Sequence, residues 1–110
     1  MRIPNGDRAV ADLEKLTEYC LSPDHPRGKH KAQVFASALG LTQEHADFLR
    51  DALLRAAQAE EAQFGEKDDY GQRFVIDFDL EGRSGQARVR STWIVRTAED
   101  FPRLTSSYVL

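Results

Sequence analysis

A single cysteine, Cys20, rules out an internal disulfide and fits a reducing compartment. The N-terminus lacks the apolar core of a signal peptide, and no hydrophobic run approaches bilayer-spanning length. A cytoplasmic location with no membrane contact is therefore expected. The net charge is only -3, which excludes a strong whole-protein field for nucleic acid. There is no internal repeat, P-loop, dinucleotide fingerprint or serine nucleophile elbow. The histidines do not make a metal site: His25 and His30 are divided by Pro26 and Gly28, and Cys20 adds no recognised ligand spacing. No metal and no cofactor are expected.

What remains is ordinary for a globular chain, with 110 residues, 41% hydrophobic and 30% charged. One domain over residues 1–110 is expected, long enough to bury about two-thirds of its unfolded surface. Its most legible stretch is a β-hairpin from Arg73 to Arg96. Apolar residues alternate at Phe74, Ile76, Phe78 and Leu80, then at Ala87, Val89, Trp93 and Val95. Such alternation gives a strand one buried and one solvated face. Gly82-Arg83-Ser84-Gly85 separates the arms, and its glycines suit a turn with positive φ. An even loop sets Phe74 opposite Trp93, Asp77 opposite Arg90 and Asp79 opposite Arg88. Apolar then meets apolar and carboxylate meets guanidinium.

Helical spacing occupies the region before the hairpin, about 9–62. Ala9 to Leu21 carries an apolar stripe at Leu13, Leu16, Tyr19 and Cys20. Lys29 to Leu39 carries another at Ala32, Phe35, Ala38 and Leu39, with Gly40 as its left-handed cap. Thr42 suits the N-cap of a third helix running to about Ala62. Gln63 to Gln72, polar and carrying two glycines, reads as a loop. Arg103 to Leu110 alternates at Leu104, Ser106, Tyr108 and Leu110, the pattern of a final antiparallel strand. In the expected pairing, Trp93 lies near Ser106 and Ser91 near Tyr108. The order predicts an α+β fold, with N-terminal helices packed on one face of a C-terminal antiparallel β-meander (sheet part about 72–110).

Charge and chemistry concentrate in a few places. Asp77 and Asp79 share a face, as a magnesium site would need, but each has an arginine opposite that competes for it. The outer sheet face collects arginines able to grip phosphate, Arg90 among them. His30 and Lys31 open a helix after a cationic loop, where free backbone N–H groups favour an anion. A histidine there suits proton transfer. His45 reads as a surface residue.

Longer strings add a family likeness. Lys15 to Leu21, His25 to Ala32, Val34-Phe35, Leu39-Gly40, Gly82 to Gly85, Ser91 to Ile94 and Arg103 to Val109 resemble an uncharacterised bacterial domain family. Its members occur alone and as C-terminal domains of phage-head-associated or secreted toxins. The family is similar to the barnase, EndoU, colicin and RelE-like ribonucleases. The resemblance implies metal-independent RNA cleavage through the ribose 2′-OH, with RNA as substrate and a protein inhibitor as partner. It implies His30 for acid or base work, Lys31 and Arg90 for holding phosphate, and Ser91, Ser106 and Tyr108 for positioning substrate. The alternation sets these hydroxyls on the apolar face, opposite Arg90, which conflicts with one flat site. The competing reading is a non-catalytic interaction module, in which the final strand leaves an open sheet edge for a homodimer or a partner strand.

Overall fold

The computed structural model describes residues 1–110 and has three helices in its N-terminal half, followed by a four-stranded antiparallel sheet. The expected α+β arrangement is therefore present. Helix α1 covers Leu13–Lys15 and continues as a π-helical turn over Leu16–Cys20. Helix α2 covers Lys29–Leu39 and α3 covers Ala46–Ala59. The strands are β1 Gln63–Asp68, β2 Gly71–Glu81, β3 Gln86–Arg96 and β4 Pro102–Val109, in the spatial order β1-β2-β3-β4. No helix is long and apolar enough to cross a membrane.

The second helix matches its sequence expectation: Ala32, Phe35 and Leu39 are buried, and Gly40 at φ 68° closes it. Two helices are shorter than the spacing predicted. Residues 9–12 are extended rather than helical, because Val10 forms a parallel bridge with Arg103 of β4. The third begins as a 3-10 turn over Gln43–His45 and ends at Ala59. His45 is not a free surface group there. Its Nδ1 accepts the Thr42 backbone N–H at 3.0 Å, closing the helix start reciprocally.

The hairpin register is the one expected: Phe74 pairs with Trp93, Asp77 with Arg90 and Asp79 with Arg88. Phe74, Ile76, Phe78, Val89 and Trp93 are buried against Phe35, Leu49 and Leu53 of the helical layer in one continuous core. Burying a side chain of this size contributes about 1.5–3 kcal/mol, so this face dominates the stability of the sheet.

Three sheet features correct the sequence expectations. First, β1 occupies the stretch read as a loop. All six of its residues are exposed, and its Phe64 packs on Phe74 with ring centroids 5.4 Å apart. Second, a β-bulge interrupts the β3–β4 ladder between Thr92 and Trp93, where Ser106 pairs with Thr92 but Leu104 with Trp93. The extra residue, Thr105, shifts the rest of β4 by one. Ser91 therefore pairs with Ser107, and Arg90 with Tyr108. Third, neither Gly82 nor Gly85 has positive φ. They are small because the hairpin tip presses on the end of α2. A Cβ on Gly82 would collide with the Leu39 carbonyl oxygen, and one on Gly85 would come within 2.6 Å of the Ala38 carbonyl oxygen. That approach lets the Arg83 and Ser84 N–H groups donate to the Leu39 carbonyl at 2.8 and 3.3 Å.

The final strand lies at an edge of the sheet, where Val10 alone bridges it, set between the Pro102 carbonyl and the Leu104 N–H, each bond 2.9 Å. The other edge, β1, pairs on one side only.

Candidate functional site

The N-terminus of α2 is built by the loop before it. His25 Nδ1 accepts the backbone N–H groups of Arg27 and Gly28, each at 3.0 Å. An accepting Nδ1 places the neutral ring's proton on Nε2. The imidazole stands edge-on to Tyr19, with centroids 4.7 Å apart. Gly28 sits against the Tyr19 carbonyl, where a Cβ would come within 2.5 Å of the oxygen. This packing fixes where the first turn of α2, Lys29-His30-Lys31, meets the sheet.

It meets β4. The Lys31 ammonium lies 4.3 Å from the Tyr108 ring centroid, a cation–π contact. Tyr108 in turn faces Arg90 across the ladder. Arg90 is held by Asp77 in a two-pronged pair, Nε to Oδ1 and Nη2 to Oδ2, both 2.9 Å. Hydrogen bonding from Arg90 holds the Asp77 carboxyl below the usual carboxylate range. The same bond, with a smaller contribution from Tyr108, raises the already high pKa of Arg90. Of the five N–H donors of a guanidinium, Asp77 takes two. The neighbouring Arg88–Asp79 pair is a single 3.0 Å bond at the surface, worth little by itself.

The bulge thus removes the conflict between the hydroxyls and Arg90. Tyr108 turns to the outer face with Arg90, and Ser106 beside Thr92 goes with it. The Ser106 Oγ is buried without a hydrogen-bond partner. Thr92 and Thr105 join their hydroxyls at 2.6 Å on the same face. His30 is exposed one residue before Lys31 and makes no side-chain hydrogen bond. Ser91 lies elsewhere. It is fully buried, donating to the Ile76 carbonyl at 2.8 Å and accepting the Trp93 Nε1–H at 2.9 Å. Of the six residues singled out from the sequence, Lys31, Arg90 and Tyr108 come together, Ser106 and His30 flank them, and Ser91 supports the core.

Sequence reasoning missed a cleft of about 1110 Å³ between α1 and the loop before α2. Its wall carries Tyr19, His25 and Arg27, and Thr105 brings β4 into its lining. The available signal was local. A histidine two and three residues before the accepted N–H groups, set between Pro23 and Gly28, is spaced to cap a turn with its ring nitrogen. No three His, Cys, Asp or Glu side chains cluster as a metal site would require.

The architecture has a counterpart among solved structures. A chain of the contact-dependent growth inhibition toxin–immunity protein complex from Klebsiella pneumoniae 342 superposes with a TM-score of 0.68 and 18% identity, covering 94% of this chain and 95% of that one. At that identity the likeness establishes a shared fold. Among curated proteins there is no match. The family described as Domain of unknown function (DUF6883) matches residues 2–110, and the chain belongs to it.

Proposed function

We propose that the protein is a toxin-like, metal-independent endoribonuclease acting where the first turn of α2 meets the outer face of β3 and β4. The observation that carries this reading is the convergence of Lys31, Tyr108 and Arg90 from three elements distant in sequence. Two cations beside a phenol suit a phosphate whose charge grows during displacement. In the reaction the ribose 2′-oxygen bonds to phosphorus as the bond to the 5′-oxygen breaks. The 2′-proton leaves to a base and the departing 5′-oxygen gains a proton. The products are a 2′,3′-cyclic phosphate and a 5′-OH end. His30 serves as acid or base, Lys31 and Arg90 hold the phosphate, and Tyr108 hydrogen-bonds to it. The fold shared with a chain of a toxin–immunity complex supports the toxin-like part.

Incubation of the purified protein with total RNA in EDTA tests this. Cleavage leaving 5′-OH ends is expected, reduced at least ~100-fold by His30→Ala and by Lys31→Ala, the range that positioned proton transfer and charge stabilisation supply. Intact RNA with the wild type, or cleavage undiminished in both variants, overturns it.

A protein partner is the second reading, favoured by β1. That edge strand pairs on one side only, and Phe64 and the adjoining Tyr70 are 68% and 75% exposed.

A further inference from the structure

We infer that His25 is a positioning residue for the Lys31–Tyr108 cluster, and that proton uptake by its ring releases the cluster in mild acid. This coupling is independent of what the cluster binds. One residue closes the start of α2. The His25 ring takes the Arg27 and Gly28 N–H groups at Nδ1, and its carbonyl takes the Lys29 N–H, all at 3.0 Å. Gly28 is buried against the Tyr19 carbonyl. The ring therefore sets where the next residues run, and with them the Lys31 ammonium 4.3 Å from the Tyr108 ring centroid.

Only the neutral imidazole can do this. With its hydrogen on Nε2, the ring has one free lone pair, and two N–H donors share it. The proton taken up in acid goes to that same Nδ1 atom and turns an acceptor into a donor facing two donors. Three N–H groups pointed at one another cannot stay at hydrogen-bond distance in a half-buried loop. The ring swings out and the first turn of α2 loosens. The far end of α2 stays bonded to the hairpin tip through Leu39, which confines the release to the turn carrying Lys31.

The charges around the ring do not offset this. Asp12, Glu14 and Glu18 on the α1 side line the same cleft with Lys15 and Arg27, while Asp24 precedes the ring and Lys29 follows in α2. Carboxylates and cations thus nearly balance, and none forms an ion pair with His25. Most are exposed, so water screens them. Tyr19 meets the ring edge-on, and the β4 residue in the cleft, Thr105, is neutral.

Proton and nitrogen NMR between about pH 8 and about pH 5.5 tests this, a window that spans histidine titration and stays above the ordinary carboxylate range. At the upper end the His25 hydrogen is expected on Nε2, with the Lys31 side-chain methylenes shifted upfield by the Tyr108 ring. At the lower end the Arg27 and Gly28 amides move and the Lys31 upfield shift is lost. The comparison is His25→Asn, whose Oδ1 sits where Nδ1 does, accepts the same N–H groups and takes up no proton. The variant is expected to keep the upfield shift at both ends. Its Thr42 amide still follows His45 and its His30 still titrates, which separates their charges from that of His25. A His25 hydrogen on Nδ1 at the upper end, a Lys31 shift that survives acid in the wild type, or one lost equally in His25→Asn overturns the inference. The first two outcomes are read from the wild type alone and do not depend on the variant folding.

Discussion

Replacing Ser91 by alanine should destabilise the protein by about 2–4 kcal/mol. The Ser91 hydroxyl donates to the Ile76 carbonyl at 2.8 Å and accepts the Trp93 indole N–H at 2.9 Å, with both Ser91 and Trp93 fully buried. Removing it deletes two hydrogen bonds, each contributing about 1 kcal/mol net, and strands a buried indole donor at about 1–3 kcal/mol. The ranges overlap, because stranding the donor includes the loss of one of those bonds. Total stabilities are about 5–15 kcal/mol, so the loss is a large fraction. Trp93 is the only tryptophan, so its fluorescence reports unfolding from the altered position. With a urea slope of about 2 kcal/mol per molar, the midpoint should fall by about 1–2 M at unchanged slope. A fall below about 0.3 M would show that the indole finds another acceptor, and the assignment of Ser91 to core support would be wrong.

Gly82→Ala should cost about 1–3 kcal/mol in urea unfolding, because its Cβ would collide with the Leu39 carbonyl oxygen; Gln86→Ala, on an exposed position four residues on, should stay within about 0.5 kcal/mol. Arg90 depresses the Asp77 pKa, so the folded state holds the ionised carboxylate more firmly than the unfolded chain does. That contribution is complete above the unfolded value near ~4 and fades as pH falls through the lower folded value. The stability gap between wild type and Asp77→Asn, measured by urea midpoints, should therefore narrow below about pH 4; a constant gap down to about pH 2.5 refutes the pairing. Burial pushes the Cys20 thiol up, so iodoacetamide at pH 8 should label native protein only at its opening rate, and labelling as fast as in urea would contradict the packing.

How much was legible in the sequence depended on whether neighbouring residues differed in kind. In the hairpin they do. A one-residue slip would set Asp77 and Asp79 against apolar partners and expose Trp93, so the register had one acceptable solution. In β4 they do not. Ser106 and Ser107 are adjacent and alike, and either phase puts a serine inward. The pattern therefore carried no sign of the bulge at Thr105, and with it went the placement of Tyr108. β1 was invisible for another reason: Phe64 is its one large apolar residue, and a strand without a buried face has no period to read. At the site, Lys31 and Arg90 were found from their charge. The role of His25 was not, because a ring nitrogen capping its own loop leaves no mark in composition.

The helical layer is fastened to the sheet by main-chain bonds at both ends of β3. Leu39 grips the hairpin tip at one end, and Val10 is stitched to β4 opposite Ile94 at the other. Layers pinned at two distant points cannot swing apart about a single hinge. Any visitor to the outer surface must meet a nearly finished mould, adjusted by side-chain rotation alone. Recognition then resembles that of rigid inhibitors and antibodies, with little main-chain movement on docking, and discrimination is set by chemical fit at first encounter.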